Sequence, residues 1–291
     1  MLHKLPFELV QLIASYLIEP VYELLDWIDP NKLDNGFLSS NVNAMDFLEK
    51  HPHRIYWDYL SRNKNPKAIA MLKNNKDKIN WSHLSSNPTA IELIESHLDK
   101  VNWWLLSKNP NAIHILQENI QRISWPWLCM NENAQSILER HVDKLHRSFI
   151  AKNPCAITIL EQHPHLIDWY SLSENPNAIH LLEANPHLIH DMTLCTNPNA
   201  IHLIETRNIQ DWRMVSINPN AIHIIEEHLD EVDWGCLMRN PNAMHIIKNN
   251  LHRMNTSNWF IISENPNIFT VNDQLTINNA KTYAMELLRG S

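Results

Sequence analysis

A chain of 291 residues with 44% hydrophobic and 19% charged side chains carries enough apolar material for a large core and too little charge for a disordered polymer. Its formal charge of −8, from 24 Lys and Arg against 32 Asp and Glu, lacks the basic footprint on which phosphate-backbone binding depends, which makes nucleic acid a poor partner. No apolar run approaches the roughly 18 residues of a membrane span, and the N-terminus lacks the pattern of a secretory signal, so the chain reads as intracellular and not secreted.

The first predicted element is residues 5–17, LPFELVQLIASYL, where Pro6 stands near a helix start and Leu9, Ile13 and Leu17 recur at helical spacing. Such an amphipathic helix can cap a stack of repeats. The stretch from Glu19 and Pro20 through Leu24 and Leu25 to Leu33 reads as a worn repeat, so residues 1–36 form an N-terminal capping region. LPFELVQLIASYL also resembles the opening of an F-box, with Leu5, Pro6, Glu8, Leu9, Ile13, Tyr16 and Leu17 carrying the match. That resemblance implies docking on a Skp1-type adaptor of a cullin ubiquitin ligase. It covers residues 1–18 only, and the downstream half of an F-box is not visible.

From residue 37 the chain repeats itself. NPNAIHLLE at 175–183 returns as NPNAIHLIE at 197–205, NPNAIHIIE at 218–226 and NPNAMHIIK at 240–248. Aligned on the opening Asn, the column runs Asn41, Asn65, Asn87, Asn109, Asn131, Asn153, Asn175, Asn197, Asn218, Asn240 and Asn265, an internal period of about 22 residues. Three positions later stands Ala, from Ala44 to Ala243, with Ile268 in the last copy; six positions earlier stands Trp in most copies. Trp57 is displaced by the longer first spacing, and Arg147 and Asp191 are exceptions.

Asn followed by Pro is a helix start, because the Asn side chain accepts from a free backbone N–H and Pro at the first helical position loses no needed donor. The Asn amide could instead bond the backbone of the adjacent unit and form a ladder, although capping alone accounts for the column. The apolar stripe that follows predicts a short helix, and an Asp before the next Trp, as at Asp168, predicts a cap for a second one. Two short helices cannot bury both apolar faces alone, whereas stacked units can. The predicted fold is therefore all-α, a right-handed α-solenoid of about eleven short two-helix repeats over residues 37–268, with a C-terminal capping helix in 269–291 and helical caps at both ends. A leucine-rich repeat shares the period, but the LxxLxL strand signature is missing and the chain holds only 3 Gly.

His114, His180, His202, His223 and His245 recur five positions after the Asn. Stacked helices lie about 8–10 Å apart, too far for adjacent units to share a zinc ion at about 2 Å per ligand. The expected arrangement is surface pairing at i,i+3, as His180 with Glu183 and His202 with Glu205. The four Cys show no CxxC spacing and read as reduced packing thiols, so neither metal nor cofactor is expected. No motif for nucleotide binding, metalloprotease or serine-hydrolase chemistry occurs, and enzyme activity is not expected.

Binding is left as the leading class. Positions just after the Trp column vary between units, and if Trp104, Trp127, Tyr170 and Arg213 face outward they are residue types that dominate protein interfaces. Trp104 and Trp127 are expected to pack between layers. The repeat with its NPNAI phrase and Trp resembles uncharacterised repeat families encoded by giant DNA viruses of protists, a likeness covering residues 37–268. It implies a non-catalytic viral scaffold in the host cytoplasm or nucleus that binds a host or viral protein. The surface residues His180, His202, His223 and His245 of the repeat are further candidate contact positions beside Tyr170, Arg213, Trp104 and Trp127. The F-box resemblance implies a substrate adaptor.

Overall fold

The computed structural model describes residues 6–289, so Leu5, the first residue of the F-box-like match, lies outside the described residues. The fold is mostly helical, as expected, and built from many short helices in a repeating arrangement. No described helix is long and apolar enough to cross a membrane.

Most Asn-Pro pairs open a single tight turn before the helix proper, whereas Asn65-Pro66 opens the helix Pro66–Lys73 directly. Asn109 caps the 3₁₀ turn Pro110–Ala112, and the α-helix Ile113–Glu118 follows. A second 3₁₀ turn, such as Ile120–Arg122, leads to the next Trp-bearing helix, Trp125–Leu128. A typical repeat is thus two short α-helices joined by two tight turns, 3₁₀ in many of the units.

The columns explain the core. The Ala three positions after the Asn is buried in every unit that follows this spacing, from Ala44 and Ala90 to Ala243, and lets the turns of neighbouring units stack closely. Leu84, Leu106, Leu128, Ile150, Leu172 and Leu194, three positions before the Asn, have no solvent exposure. One continuous apolar core runs through all the repeats from Ile28 to Phe269.

The Asn column does both things its chemistry allows. The Asn175 side-chain oxygen accepts from the Asn177 N–H (3.0 Å), while its amide donates to the carbonyls of Ala151 (2.8 Å) and Asn153 (3.0 Å) in the preceding unit. The second unit corrects the alignment. Its buried ladder residue is Asn63, which donates to the carbonyls of Ser39 and Asn41, whereas Asn65 is the outer Asn and donates to the Val42 carbonyl. Counted from Asn63, Trp57 stands six positions before and Leu60 three before, in register with the other units. The surplus falls in Pro66 and Lys67, a two-residue insertion between the outer Asn65 and Ala68.

The series closes on itself. Asn41 donates to the carbonyls of Ser263 (3.0 Å) and Asn265 (2.9 Å), the same pair of bonds that every other unit makes to its predecessor. Strand β1 (Tyr22–Leu24) pairs antiparallel with β2 (Phe269–Val271), Lys32 lies over the Trp259 ring at 4.9 Å, and the Asp34 N–H donates to the Ser263 hydroxyl. The closing unit is therefore composite. Residues 256–268 give its Trp helix and Asn turn, residues 30–33 give its second 3₁₀ turn and anchor, and the strand pair takes the place of the second helix.

This corrects the expectation of an α-solenoid with a separate helical cap at each end. The N-terminal helix Phe7–Leu17 and the C-terminal helix Asp273–Arg289 pack on each other, through Val10 and Ala14 against Ala280 and Ala284, as a small core distinct from that of the repeats. No cap is required where the first and last repeats cover each other's faces.

Candidate interaction surface

One bonding system runs round the whole ring and two more run along most of it, and together they account for most polar columns. The Asn ladder is the first. In the second, the side chain two positions before the ladder Asn accepts from the backbone N–H that precedes the next Trp helix: Ser85 from Asn102 (2.9 Å), Ser107 from Ser124 (3.0 Å), Ser173 from His190 (2.9 Å), with the Cys129 sulfur serving from His146 at 3.5 Å. In the third, the outer Asn two positions after the ladder Asn donates to a carbonyl of the preceding unit, as Asn177 to Pro154 and Asn199 to Pro176, both at 2.9 Å. The Ser column escaped the sequence reading although it is visible there, as Ser39, Ser61, Ser85 and Ser107 in successive units.

The His column pairs differently from the expectation. His180 Nε2 meets Glu161, His202 meets Glu183 and His223 meets Glu205, each at 2.9 Å; His245 meets Glu226 at 2.8 Å and His114 meets Glu95 at 2.5 Å. These partners belong to the preceding unit, 18 or 19 residues back, not to the same helix three positions on. The i,i+3 pairing is thus replaced by a belt of contacts between units, in which exposed His and Glu side chains bridge neighbouring helices. Among the described residues no cluster of three or more His, Cys, Asp or Glu is placed to hold a metal ion.

Asp168 occupies the cap position with extended backbone but makes no cap bond to the helix; its carboxylate accepts from the Ser171 hydroxyl at 3.0 Å. Burial opposes its charge, and hydrogen bonds from Ser148 and Ser171, with Arg147 nearby, outweigh this and hold its pKa below the ordinary Asp value.

Cys129, Cys195 and Cys236 are buried and Cys155 is exposed. Burial, with Asp211 and Asp191 near, pushes the Cys195 thiol up to about 12. Because the thiolate is the reactive form, a thiol reagent at neutral pH will modify Cys155 alone in the folded protein and reach the other three only after denaturation. Mass spectrometry of the labelled chain checks this, and rapid labelling of Cys195 in native protein would contradict the packing.

The expected interface positions divide. The residue after the Trp column is exposed wherever it is large: Trp104 (68%), Tyr170 (46%), Met192, Arg213 and Phe260. The expectation that Trp104 packs between layers is therefore corrected. These short helices bury the apolar residue three positions after the Trp and pack the Trp, half-buried in most units, against the core, and the position just after the Trp points away from both. Trp127, one position further along, is half-buried, with Phe149 edge-on at 6.0 Å and Lys108 over its ring at 5.6 Å.

Trp127 also borders a cleft of about 540 Å³ that spans the second to fifth units and includes Arg62, Lys64, Leu105, Lys108 and Glu132. Two of these stand where most units carry Pro after the ladder Asn, namely Lys64 and Glu132. That substitution is the signal by which the sequence marked the cleft.

The N-terminal helix is the last candidate. With Val10 and Ala14 turned to the C-terminal helix, Pro6, Leu9, Ile13 and Leu17 of the F-box-like match are exposed, Leu17 by 62% and Tyr16 by 83%. Comparisons of the chain with protein-family models, with curated proteins and with solved structures find no match.

Proposed function

We propose that the chain is a non-catalytic protein-binding scaffold whose ring of repeats presents a row of exposed aromatic, Met and Arg side chains to a protein partner. The observation that carries this reading is the division of labour within each unit. The repeated positions are buried or bonded to a neighbouring unit, while the position after the Trp column varies freely and exposes Trp104, Tyr170, Met192, Arg213 and Phe260. Framework positions held constant beside a variable exposed row is how repeat proteins build binding surfaces, and Trp, Tyr and Arg are the side chains that dominate interface energetics. The exposed His180, His202, His223 and His245 flank a separate belt and are secondary contact positions, each already engaged with a Glu.

The test is affinity capture from a lysate with the intact chain and with a Trp104→Ala, Tyr170→Ala, Arg213→Ala variant. Truncating one interface hot spot costs about 2 kcal/mol or more, roughly thirtyfold in affinity, so the specific partner should be lost from the variant while its circular dichroism stays that of the intact chain. Capture of the same partner in equal amount by both chains would refute the surface.

A second reading, an adaptor for a Skp1-type protein, is supported by the exposure of Leu9, Ile13 and Leu17. A capping helix would bury that stripe against the repeats. Purified Skp1-type protein should then bind the intact chain and fail to bind a Leu9→Ser, Leu17→Ser variant; no binding to either chain removes this reading and leaves the scaffold.

A further inference from the structure

We propose that the cleft across the second to fifth units binds an acidic peptide segment bearing a large apolar side chain. The proposal rests on the scaffold reading and names the chemistry of one of its contacts. The chain as a whole carries a charge of −8, yet this cleft gathers Arg62, Lys64 and Lys108 against the single carboxylate of Glu132. A local field opposite to that of the whole protein selects what can approach it.

Nor are these cations neutralised by the protein. Arg62 meets the His83 imidazole at 2.5 Å and lies over the Tyr59 ring, and Lys108 lies over Trp127. None of the three forms an ion pair among the described residues, although basic side chains elsewhere do, as Lys152 with Glu174 and Arg207 with Asp191. Lys152 and Glu174 hold the position before the ladder Asn in the sixth and seventh units and bond at 2.8 Å. The same position in the second to fifth units holds Arg62, Ser86, Lys108 and Met130, so no such pair fills the space, and the small Ser86 between two cations leaves the cleft open.

The floor decides between kinds of anion. Leu105, Trp127 and Met130 are apolar and match a large hydrophobic side chain. Phosphate groups are held best by clusters of backbone N–H donors, and this wall contains Pro88 and Pro110, which have none. The cations are also distributed over separate units, an arrangement suited to carboxylates spaced along an extended chain, and Glu132 repels a compact polyanion while accepting a peptide N–H.

The test is fluorescence anisotropy of a fluorescein-labelled short acidic peptide with one central Phe, titrated with the full chain. Saturable binding is expected. It should weaken about tenfold or more with Lys108→Glu or Arg62→Glu, exchanges of exposed side chains, and should weaken with added salt. It should also weaken when Ser replaces the peptide's Phe, a change that leaves the protein untouched. Lys248→Glu, outside the cleft, should bind as the intact chain does. The proposal is overturned if the acidic peptide does not saturate the intact chain, if Lys108→Glu binds it equally, or if tripolyphosphate or oligothymidylate competes better than unlabelled peptide. A chain that captures its partner through Trp104, Tyr170 and Arg213 but ignores the peptide refutes this inference alone. Conversely, peptide binding without any captured protein refutes the scaffold.

Discussion

A chain ended after Asn250 will lose its cooperative thermal transition or elute as assemblies larger than those of the full-length protein. In an open stack of repeats, removing the last unit costs one interface and leaves a shorter, still folded array, because stability is close to a sum over neighbours. The closed arrangement predicts far more damage. The truncation removes Trp259, Ile262, Ile268 and Phe269, all buried, and bares two faces at once, that of the tenth unit and that of the first around Leu38. Burial of side chains of this size is worth about 1.5–3 kcal/mol each. The four together approach the roughly 5–15 kcal/mol by which whole domains are stable, and even as an upper bound the loss is severe. The Asn41 amide is orphaned at the same time, since its acceptors are the Ser263 and Asn265 carbonyls. Exposed faces of repeats built to stack will find copies of one another, hence the assemblies. Removing residues 1–18 is the matched control: it takes away the N-terminal helix but leaves β1, the ladder and the Lys32–Trp259 contact, so the main transition should persist. Light scattering and differential scanning calorimetry of the two truncations decide. Equal behaviour, or a well-folded monomer ending at Asn250, would mean that closure contributes little.

The repeating unit was legible because each of its columns answers a local need. Ala for close stacking, Asn-Pro for a turn and an apolar residue at helical spacing can all be read from one copy, and both roles of the Asn follow from the chemistry of its amide. What escaped the sequence reading depends on geometry between units. His180 has Glu183 on its own helix and Glu161 in the preceding unit, and only the lateral spacing of the helices selects the second. Closure left no local trace either. β1 is three residues, YEL, meeting a partner near the far end of the chain, and the residues around Leu33 look like a worn repeat because they complete the last unit instead of beginning a new one. The exchange of Asn63 for Asn65 is of another kind. Counting backward from the Asn-Pro pair favours Asn65, counting forward from Trp57 favours Asn63, and the buried position follows the Trp because the helix from Trp57 to Leu60 sets where the chain enters the ladder. The candidate surface was legible in residue type alone: the sequence offered Trp104, Tyr170 and Arg213, and which side of a very short helix they occupy required the fold.

Replacing one ladder residue, Asn175→Ala, should destabilise the protein by about 2–6 kcal/mol, measured as a shift in the denaturant midpoint at constant slope. Asn175 has no solvent exposure. Its loss orphans two groups, the Ala151 carbonyl and the Asn177 N–H, and takes from the Asn153 carbonyl one of its two donors, the Ala156 N–H remaining at 3.1 Å. An unsatisfied buried polar group costs about 1–3 kcal/mol, and close packing against the neighbouring unit leaves no room for water to replace the amide. The exposed Asn177, whose amide makes a single bond at the rim, is the comparison; Asn177→Ala should cost less than about 1 kcal/mol because water can serve the Pro154 carbonyl. Asn175→Asp separates the ladder from simple packing. The shape is preserved, but an ionised carboxylate would face two carbonyl oxygens, so the charged form is disfavoured and the folded-state pKa must rise above the unfolded value. The sign follows from linkage. The protonated acid can donate to one carbonyl, so the penalty is smallest at low pH and grows as pH rises through the unfolded Asp value, near 4, toward the raised folded value. If the variant were equally destabilised at pH 4 and pH 7, the amide would be filling space and not bonding, and the ladder would lose its place as the feature that sets the spacing of the ring.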